Sequence, residues 1–505
     1  MTKFILRRLG QSLLVLLGGS LLLYVLVINS GDPIADLRES NAKNREYLIQ
    51  QRTSFMGLDQ PWYSRYWDWL RGVGKCFTLN CDLGTNRNGT DVTALLGNAV
   101  SSTLRLVILA TVLAIIVGIL VGIMTAIRQY SGFDYVVTFM AFLFFSLPVF
   151  WVAVLLKEYG AIRFNDWIVE PTFTPVQIVI TALVIGIVLQ GVLGGRLKRR
   201  LLTAGVAIVF VVAAMFYFSA VEWFRRPALG IGVVTLVAAA FAVGLTVLIV
   251  GLSNRRVLYA GLTTVAVGVV AYFVTAPILE DPSWTILVVL GLVTVVVGAV
   301  VGWFWGGESR RLAMSISIST AVMMGILTVA DYAVSNWSSL LRLKPRPIST
   351  IGSETPNLVG TFWDGFLDKG TQLILPTIVL TLISVASYTR YTRSSMLEVM
   401  NQDYVRTARS KGLSERVVIV KHAFRNALIP ITTIVAFDFA GLIGGAVITE
   451  QVFGWKGMGE LFQTGLKQVD PAPVMAFFLV TGTAAIIMNL LADLAYSALD
   501  PRIRR

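Results

Sequence analysis

Stretches of about 20 apolar residues, each long enough to cross the hydrocarbon core of a bilayer as a helix, recur along most of the chain. Such a chain is all-α and polytopic. Its composition agrees: 55% of the 505 residues are hydrophobic and 14% are charged, with a mean hydropathy of +0.73. Soluble domains carry about 25% charged residues. The net charge of +13 does not indicate nucleic acid, because Lys and Arg sit in short loops between apolar spans, where they report membrane topology.

Lys3, Arg7 and Arg8 precede an apolar run from Leu9 to Ile28. The run is longer than a secretory h-region and no A-x-A-like site follows it. It reads as a retained first helix with its N-terminus in the cytoplasm. The next loop is then external and carries Trp62, Tyr63, Tyr66, Trp67 and Trp69, residues suited to a membrane interface or a docking surface. Both cysteines, Cys76 and Cys81, lie there. An oxidising compartment permits a disulfide between them, with two free thiols as the alternative.

A second helix is expected over Thr103–Ile127, with Gly118 and Gly122 forming a G-x-x-x-G face for close helix approach. A third runs over Tyr135–Leu156 with a kink at Pro148. Six further spans follow at 176–193, 201–220, 228–251, 257–277, 284–305 and 312–333. Their loops alternate in character: Arg196–Arg200, Arg255/Arg256 and Arg310/Arg311 are basic, and Glu280/Asp281 is acidic. Only Arg225/Arg226 departs from the positive-inside pattern. An even number of spans returns the chain to the side it left. Helices over Leu373–Tyr391, Leu428–Thr449 and Val474–Leu494 complete the set, with Pro376, Pro430 and Pro473 placed near their starts. The sequence divides into 1–156, a spanning insertion over 157–340, and 341–505.

Between the last two turns of this pattern lies a basic polar segment, Asp403–Pro430. Tyr404–Ser410 reads as a short amphipathic helix with Val405 and Ala408 on one side. Gly412 breaks it, since glycine takes positive φ freely. Ser414 can cap a second helix whose Val417, Val418 and Val420 face the membrane domain. A short helix lying across a membrane face can seat in a partner's groove and pass on rigid-body movement.

This segment resembles the cytoplasmic coupling (EAA) loop of ABC-importer permeases. The likeness extends over 1–156 and 370–505, to the B-type permeases of dipeptide, oligopeptide and nickel importers. It is carried by Arg7–Leu26, Gly31-Asp32-Pro33, Gly57-Leu58-Asp59, Asp82-Leu83-Gly84, Ser146–Trp151, Tyr388–Glu398, Gly444-Gly445-Ala446, Glu450, Gly457, Gly459, Asn489–Leu491, Asp493 and Asp500-Pro501-Arg502. Three departures stand out: Arg425 and Lys456 replace prolines of the pattern, and the insertion is absent from the usual six-helix subunit.

The resemblance implies a permease core of six helices, with about six extra inserted, in a bacterial cell membrane with both termini cytoplasmic. It implies transport of peptides, with nickel or another small solute as alternatives. The expected partners are a second homologous permease, two ATP-binding subunits, an extracytoplasmic substrate-binding protein and membrane lipid. ATP and Mg would be bound by the partners; this chain would hold no cofactor and no metal. Arg406, Thr407, Ala408, Arg409, Lys411, Gly412, Leu413, Ser414 and Glu415 become candidates for contact with the ATPase. Pathway candidates are Asp438, Gly444, Gly445 and Glu450. Asp438 could meet a peptide's amino group or hold two helices together, since intramembrane acids face interiors or water. Asp493 reads as structural and Asp331 as lying near the outer interface. His422, the single histidine, reads as a helix-surface hydrogen bonder.

Two other classes were weighed. An enzyme lacks support: Gly72-Val73-Gly74-Lys75 misses the earlier glycine of a P-loop, one histidine forbids H-E-x-x-H, and no acid–nucleophile constellation is present. A secondary transporter driven by an ion gradient would show internal repeats, and the halves show no self-similarity.

Overall fold

The computed structural model describes residues 2–251 and 254–499, the side chains of 2–7, 9, 416, 444, 445 and 493–499 excepted. Expectations attached to the side chains of Lys3, Arg7 and Asp493, and to Asp500–Arg502, fall outside the described residues. Among those described, the regular elements are helices, with one isolated bridge between Thr85 and Asp91.

The first helix, α1 (Thr2–Ile28), packs on the last one. The loop after it forms α2 (Ala35–Arg38), α3 (Arg45–Met56) and α4 (Trp62–Lys75). Tyr66 of α4 hydrogen-bonds Ser20 of α1 at 2.9 Å, and Cys76 and Cys81 are joined as a disulfide. Asp91 caps α5 (Val92–Ile127) by accepting from the Thr93 amide. At 36 residues, α5 is about 54 Å long and outreaches a bilayer core of about 30 Å.

The third span is broken rather than kinked. α6 (Gly132–Ser146) ends where Leu147 turns extended ahead of Pro148, and α7 (Val149–Lys157) leaves at 100°. Proline excludes its predecessor from helical geometry and offers no N–H, so the helix restarts instead of bending. A wide turn leads into α8 (Arg163–Trp167).

The insertion forms two bodies. One is a hairpin of α9 (Pro175–Leu193) and α10 (Leu197–Ala220). Thr174 and Gln177 form a capping box at its start, with Pro175 in the first turn. Arg128 donates to the Val192 carbonyl at 2.9 Å and so ties the hairpin beside α6. The other is a cluster of α11 (Gly230–Ile249), α12 (Arg255–Leu279), α13 (Trp284–Gly306) and α14 (Arg310–Ser335). Buried Asp331 accepts from the Leu229 and Gly230 amides and from Tyr272, which closes the cluster around the start of α11.

A short α15 (Trp337–Leu343) leads to α16 (Phe362–Met400), then α17 (Asp403–Ser410), α18 (Glu415–Val417), α19 (Arg425–Gly445), α20 (Val447–Phe453), α21 (Met458–Lys467) and α22 (Pro471–Leu499). α16 and α19 begin well before their apolar runs, so Pro376 and Pro430 lie inside helices and not near their starts. Pro473 is in the first turn of α22, as expected.

Ten stretches among the described residues are long and apolar enough to cross a membrane, or eleven with the bent pair. One of these covers 60 residues and folds back at Gly307, where φ is +47°. Gly298 then faces Ile318 and Gly302 faces Met314, so this stretch crosses twice. Six of the resulting crossings fall between Pro175 and Ser335. The protein is an all-α, multi-pass membrane protein. Arg128, Arg196–Arg200, Arg255/Arg256 and Arg310/Arg311 lie toward the end that carries α17. Glu280/Asp281 and Arg225/Arg226 lie toward the other.

At the centre, α5 and α16 run in close contact. A Cβ on Gly118 would come within 2.6 Å of the Tyr388 Cβ, and one on Gly122 within 2.9 Å of the Thr389 carbonyl oxygen. The G-x-x-x-G face is therefore a true contact surface. Replacing Gly122 by Leu is expected to destabilise the fold by about 1–3 kcal/mol through overpacking. Gly97→Ala, where nothing lies within 4 Å, should be neutral. Thermal melting of the purified protein in detergent, followed by size-exclusion chromatography, compares them; equal melting would refute the seam.

Candidate functional site

α17 lies across one end of the helix array. Its inner face is Val405 and Ala408, both buried against Val418 and Val399. Its outer face is Tyr404, Arg406, Thr407 and Arg409, all exposed. Gly412 follows with φ at +74°, and no atom would meet a Cβ there. Glycine is needed at this position for backbone conformation and not for space. Lys411, Leu413 and Ser414 are exposed on the turn. Arg409 spans the turn to Glu415, donating from Nη2 to Oε1 at 2.6 Å and from Nε to Oε2 at 3.2 Å. This bonding pulls the Glu415 carboxyl below its ordinary value. An exposed pair adds at most about 1 kcal/mol to stability, so its main effect is to fix the turn's shape.

Two expectations for this segment are corrected. Ser414 makes no side-chain cap. Val417 and Val420 are exposed, and only Val418 turns inward. The cause is the backbone: residues Val418–Phe424 form a π-helical turn, with wider spacing than an α-helix. Val418, Ala423 and Ala427 thereby become the buried row. Ala408 packs on its own chain and seats the segment, while its neighbours Arg406, Thr407 and Arg409 face outward. Half-buried His422 contributes its backbone carbonyl to Asn426, 3.3 Å away.

Asp438 is half-buried on α19. Its Oδ2 accepts from the Tyr388 hydroxyl at 2.6 Å and from Ser384 at 2.7 Å, both on α16. Of its two readings the helix-to-helix bond is present, and Oδ1 takes no part in it. Glu450 is fully enclosed. Thr103 of α5 donates to Oε1 at 2.6 Å and the Gly459 amide to Oε2 at 2.7 Å, while Thr103 itself accepts from the Met458 amide. Side chains on Gly457 or Gly459 would collide with the carboxylate. Burial pushes the Glu450 carboxyl above its ordinary range, against the pull of these donors. Enclosed within this chain, Glu450 fastens the α20–α21 loop to α5. Gly444 and Gly445 fall in the last turn of α19, and their surroundings lie outside the described residues.

Several partners have no local signal in the sequence. Arg393 of α16 grips Asp134 of α6 with two bonds, Nε to Oδ1 at 2.8 Å and Nη2 to Oδ2 at 2.9 Å. Ser131 and Asp134 show only an N-cap pattern from sequence, and nothing local predicts a partner 259 positions away. Thr103, Ser384 and Tyr388 are likewise ordinary helix residues until the helices are assembled.

Many crossings, polar groups paired between helices and an exposed basic segment seated at one end define a membrane transport subunit. Residues 118–505 match the family described as "Binding-protein-dependent transport system inner membrane component", and the chain belongs to that family. It is similar to the oligopeptide transport system permease protein OppB of Mycobacterium tuberculosis (strain ATCC 25618 / H37Rv), with 38% identity over 228 residues, 44% of this chain and 70% of that one. It is similar to AppB, an oligopeptide transport system permease protein of Bacillus subtilis (strain 168), with 46% identity over 136 residues, 27% and 43% of the two chains. The dipeptide transport system permease protein DppB of Escherichia coli (strain K12) is 45% identical over 139 residues, 28% and 41% of the two.

Replacing Glu450 by Ala leaves the Thr103 hydroxyl and the Gly459 amide without an acceptor, at an expected cost of roughly 3 kcal/mol. Glu450→Gln keeps an acceptor oxygen and should recover about half. Thermal unfolding of both variants checks this, and an Ala variant as stable as the parent would disprove the fastening.

Proposed function

We propose that this chain is the permease subunit of an ATP-driven importer that moves di- or oligopeptides into the cytoplasm by alternating access. A second homologous permease completes the pathway. Two ATPase subunits, which bind ATP and Mg, grip the α17–Gly412–Glu415 segment. An extracytoplasmic binding protein delivers substrate on the opposite face. In this reading the chain does no chemistry of its own, both termini are cytoplasmic, and the membrane is that of a bacterial cell.

One observation carries the proposal. A short helix with an exposed basic outer face is seated by Val405 and Ala408 on a turn that runs unbroken into α19. Movement of the segment therefore moves a spanning helix. The names of the similar permeases support peptides as cargo. ATP binding must favour one membrane conformation over the other for this to drive transport. The contacting groups are Arg406, Thr407, Arg409, Lys411, Gly412, Leu413, Ser414 and Glu415. Asp438 offers its free Oδ1 to a peptide's ammonium group in the pathway. Residues 1–156 and 341–505 form the core, and 157–340 is a lateral scaffold. Its α11–α14 cluster is fastened to the start of α16 by Trp363 donating to the Leu279 carbonyl, the Phe362 amide donating to Asp281, and Tyr332 stacked on Trp363.

Gly412→Pro tests coupling, because proline cannot adopt a φ of +74°. The complex with its ATPase subunits should assemble in nanodiscs, yet peptide uptake should fall by at least about tenfold, a barrier change of roughly 1.4 kcal/mol. Normal uptake would sink the assignment. Stimulation of ATPase activity by binding protein loaded from a peptide mixture identifies the cargo class; stimulation only by nickel chelates or another solute would redirect it.

Asp438→Asn keeps an acceptor for Tyr388 and Ser384 but removes the charge. Uptake of peptides with a free amino terminus should drop about tenfold, in line with a lost charge-assisted hydrogen bond, with little change for N-acetylated peptides. Equal effects on both would place Asp438 outside the pathway.

A further inference from the structure

On the face opposite the coupling segment, α3, α4, the strap Asp82–Thr85 and the start of α22 enclose a cavity of about 310 Å³. That volume lies within the range of small-ligand sites. α4 turns Trp62, Tyr63 and Trp67 outward and directs Arg65 and Trp69 into the cavity lining. Trp69 is only 9% exposed. Its indole Nε1 is buried with no hydrogen-bond partner, and the Arg65 Nε is in the same condition.

Three carboxylates around the cavity already have partners within the chain. Asp470 accepts from the Arg87 amide at 2.6 Å and from the Ala472 amide at 3.3 Å. Asp82 accepts from the Gly84 amide and pairs with Lys75, and Asp68 pairs with Arg71. Arg65 belongs to none of the ion pairs among the described residues. Two buried donors at the cavity are thus left without acceptors: one N–H of a guanidinium fork, and an indole N–H that can only donate. Each buried donor left unpaired costs about 1–3 kcal/mol, and an acceptor from outside the chain removes that cost.

We propose that this cavity is a carboxylate site that takes the C-terminal carboxylate of a short peptide at the extracytoplasmic face. The identification of the ligand as a peptide rests on the peptide-importer reading. A carboxylate is planar and accepts two parallel bonds from a guanidinium fork. The carboxylates of Asp68 and Asp82 at the same cavity are offset by Arg71 and Lys75, which leaves Arg65 as the cation open to a singly charged group carried on a neutral chain. The site is separate from Asp438, which lies within the spanning helices.

The test uses the assembled permease–ATPase complex in phosphatidylcholine nanodiscs, labelled with 5-fluorotryptophan and without binding protein. The Trp69 fluorine resonance is assigned by its loss in Trp69→Phe. Trialanine should shift it saturably. Trialanine amide should need at least about tenfold higher concentration, the loss expected for a charge-assisted bond. Arg65→Gln should weaken the response to trialanine by a similar factor while the other tryptophan resonances stay in place. Arg65→Lys, which keeps the charge but loses the fork, should also weaken it if the glutamine variant disturbs the fold. No shift with trialanine, or equal shifts with acid and amide, overturns the proposal. A shift on replacing phosphatidylcholine by phosphatidylglycerol without peptide also overturns it, in favour of a lipid headgroup. The two readings separate cleanly. ATPase stimulation by peptide-loaded binding protein with an unmoved Trp69 resonance removes this site and leaves the importer. A Trp69 response without stimulation does the reverse.

Discussion

The seam between α5 and α16 is the contact on which the other polar arrangements depend. Helices inside a membrane gain nothing from burying apolar surface against each other, since lipid is equally apolar; close packing and hydrogen bonds must hold them. Gly118 and Gly122 let α5 approach α16 until backbone and Cβ atoms touch. That approach presses Tyr388 inward, where it meets Asp438. One turn further, Arg393 of α16 reaches Asp134. On α5 itself, Thr103 is brought against Glu450. Three carboxylates on three other elements are thus satisfied by side chains on the two seam helices. Each of these bonds joins separate helices in a medium where unpaired polar groups are costly.

Much of this is legible in the chain and some is not, for identifiable reasons. Span length and loop charge locate the crossings, because every crossing needs about 20 apolar residues however far its helix continues. Helix ends were misjudged where a helix runs past its apolar stretch, as α16 does at both ends. Pro148 marks the site of the break, but whether a proline bends a helix or breaks it depends on where the next residues can pack. In the coupling segment the buried side of α17 followed from amphipathic spacing. The row on the following turn did not, because a π-turn shifts side chains off the 3.6-residue period. The role of Glu450 was invisible for a different reason. Its sequence neighbours supply only backbone amides, and its side-chain donor, Thr103, lies 347 positions away.

The insertion obeys the same physics in a looser form. Its hairpin meets the rest of the protein at both ends, through Arg128 at one and Phe173 and Phe224 against Trp167 at the other, and its four-helix cluster is held at the start of α16. Arg128 holds the hairpin beside α6, and Trp363 and Phe362 hold the cluster at the start of α16. These fastenings are hydrogen bonds to backbone carbonyls or from backbone amides, supplemented by aromatic rings at the depth where such rings settle. Within the cluster, contact is made by small residues: Ala238 and Ala242 are fully buried, and glycines of α13 lie against α14. The cluster can therefore hold itself together, and it needs only end contacts to stay beside the core.

Rigidity at the coupling end has a consequence for how a signal could travel. Arg409 and Glu415 close the Gly412 turn, and Val405 and Ala408 clamp α17 onto Val418. From Val418 the helix continues through the π-turn into α19 without a loop. Displacement of α17 is then carried by α19 as a body. α19 bears Asp438, whose link to Tyr388 crosses to α16 and hence to the seam. In the importer reading, a push on one exposed basic helix reaches the only carboxylate of α19 and its contacts with α16 through the packing of Val405 and Ala408 on Val418 and the continuous run into α19. Such a chain of rigid elements is the physical requirement for ATP hydrolysis in a partner subunit to bias the conformation of a pathway it never touches.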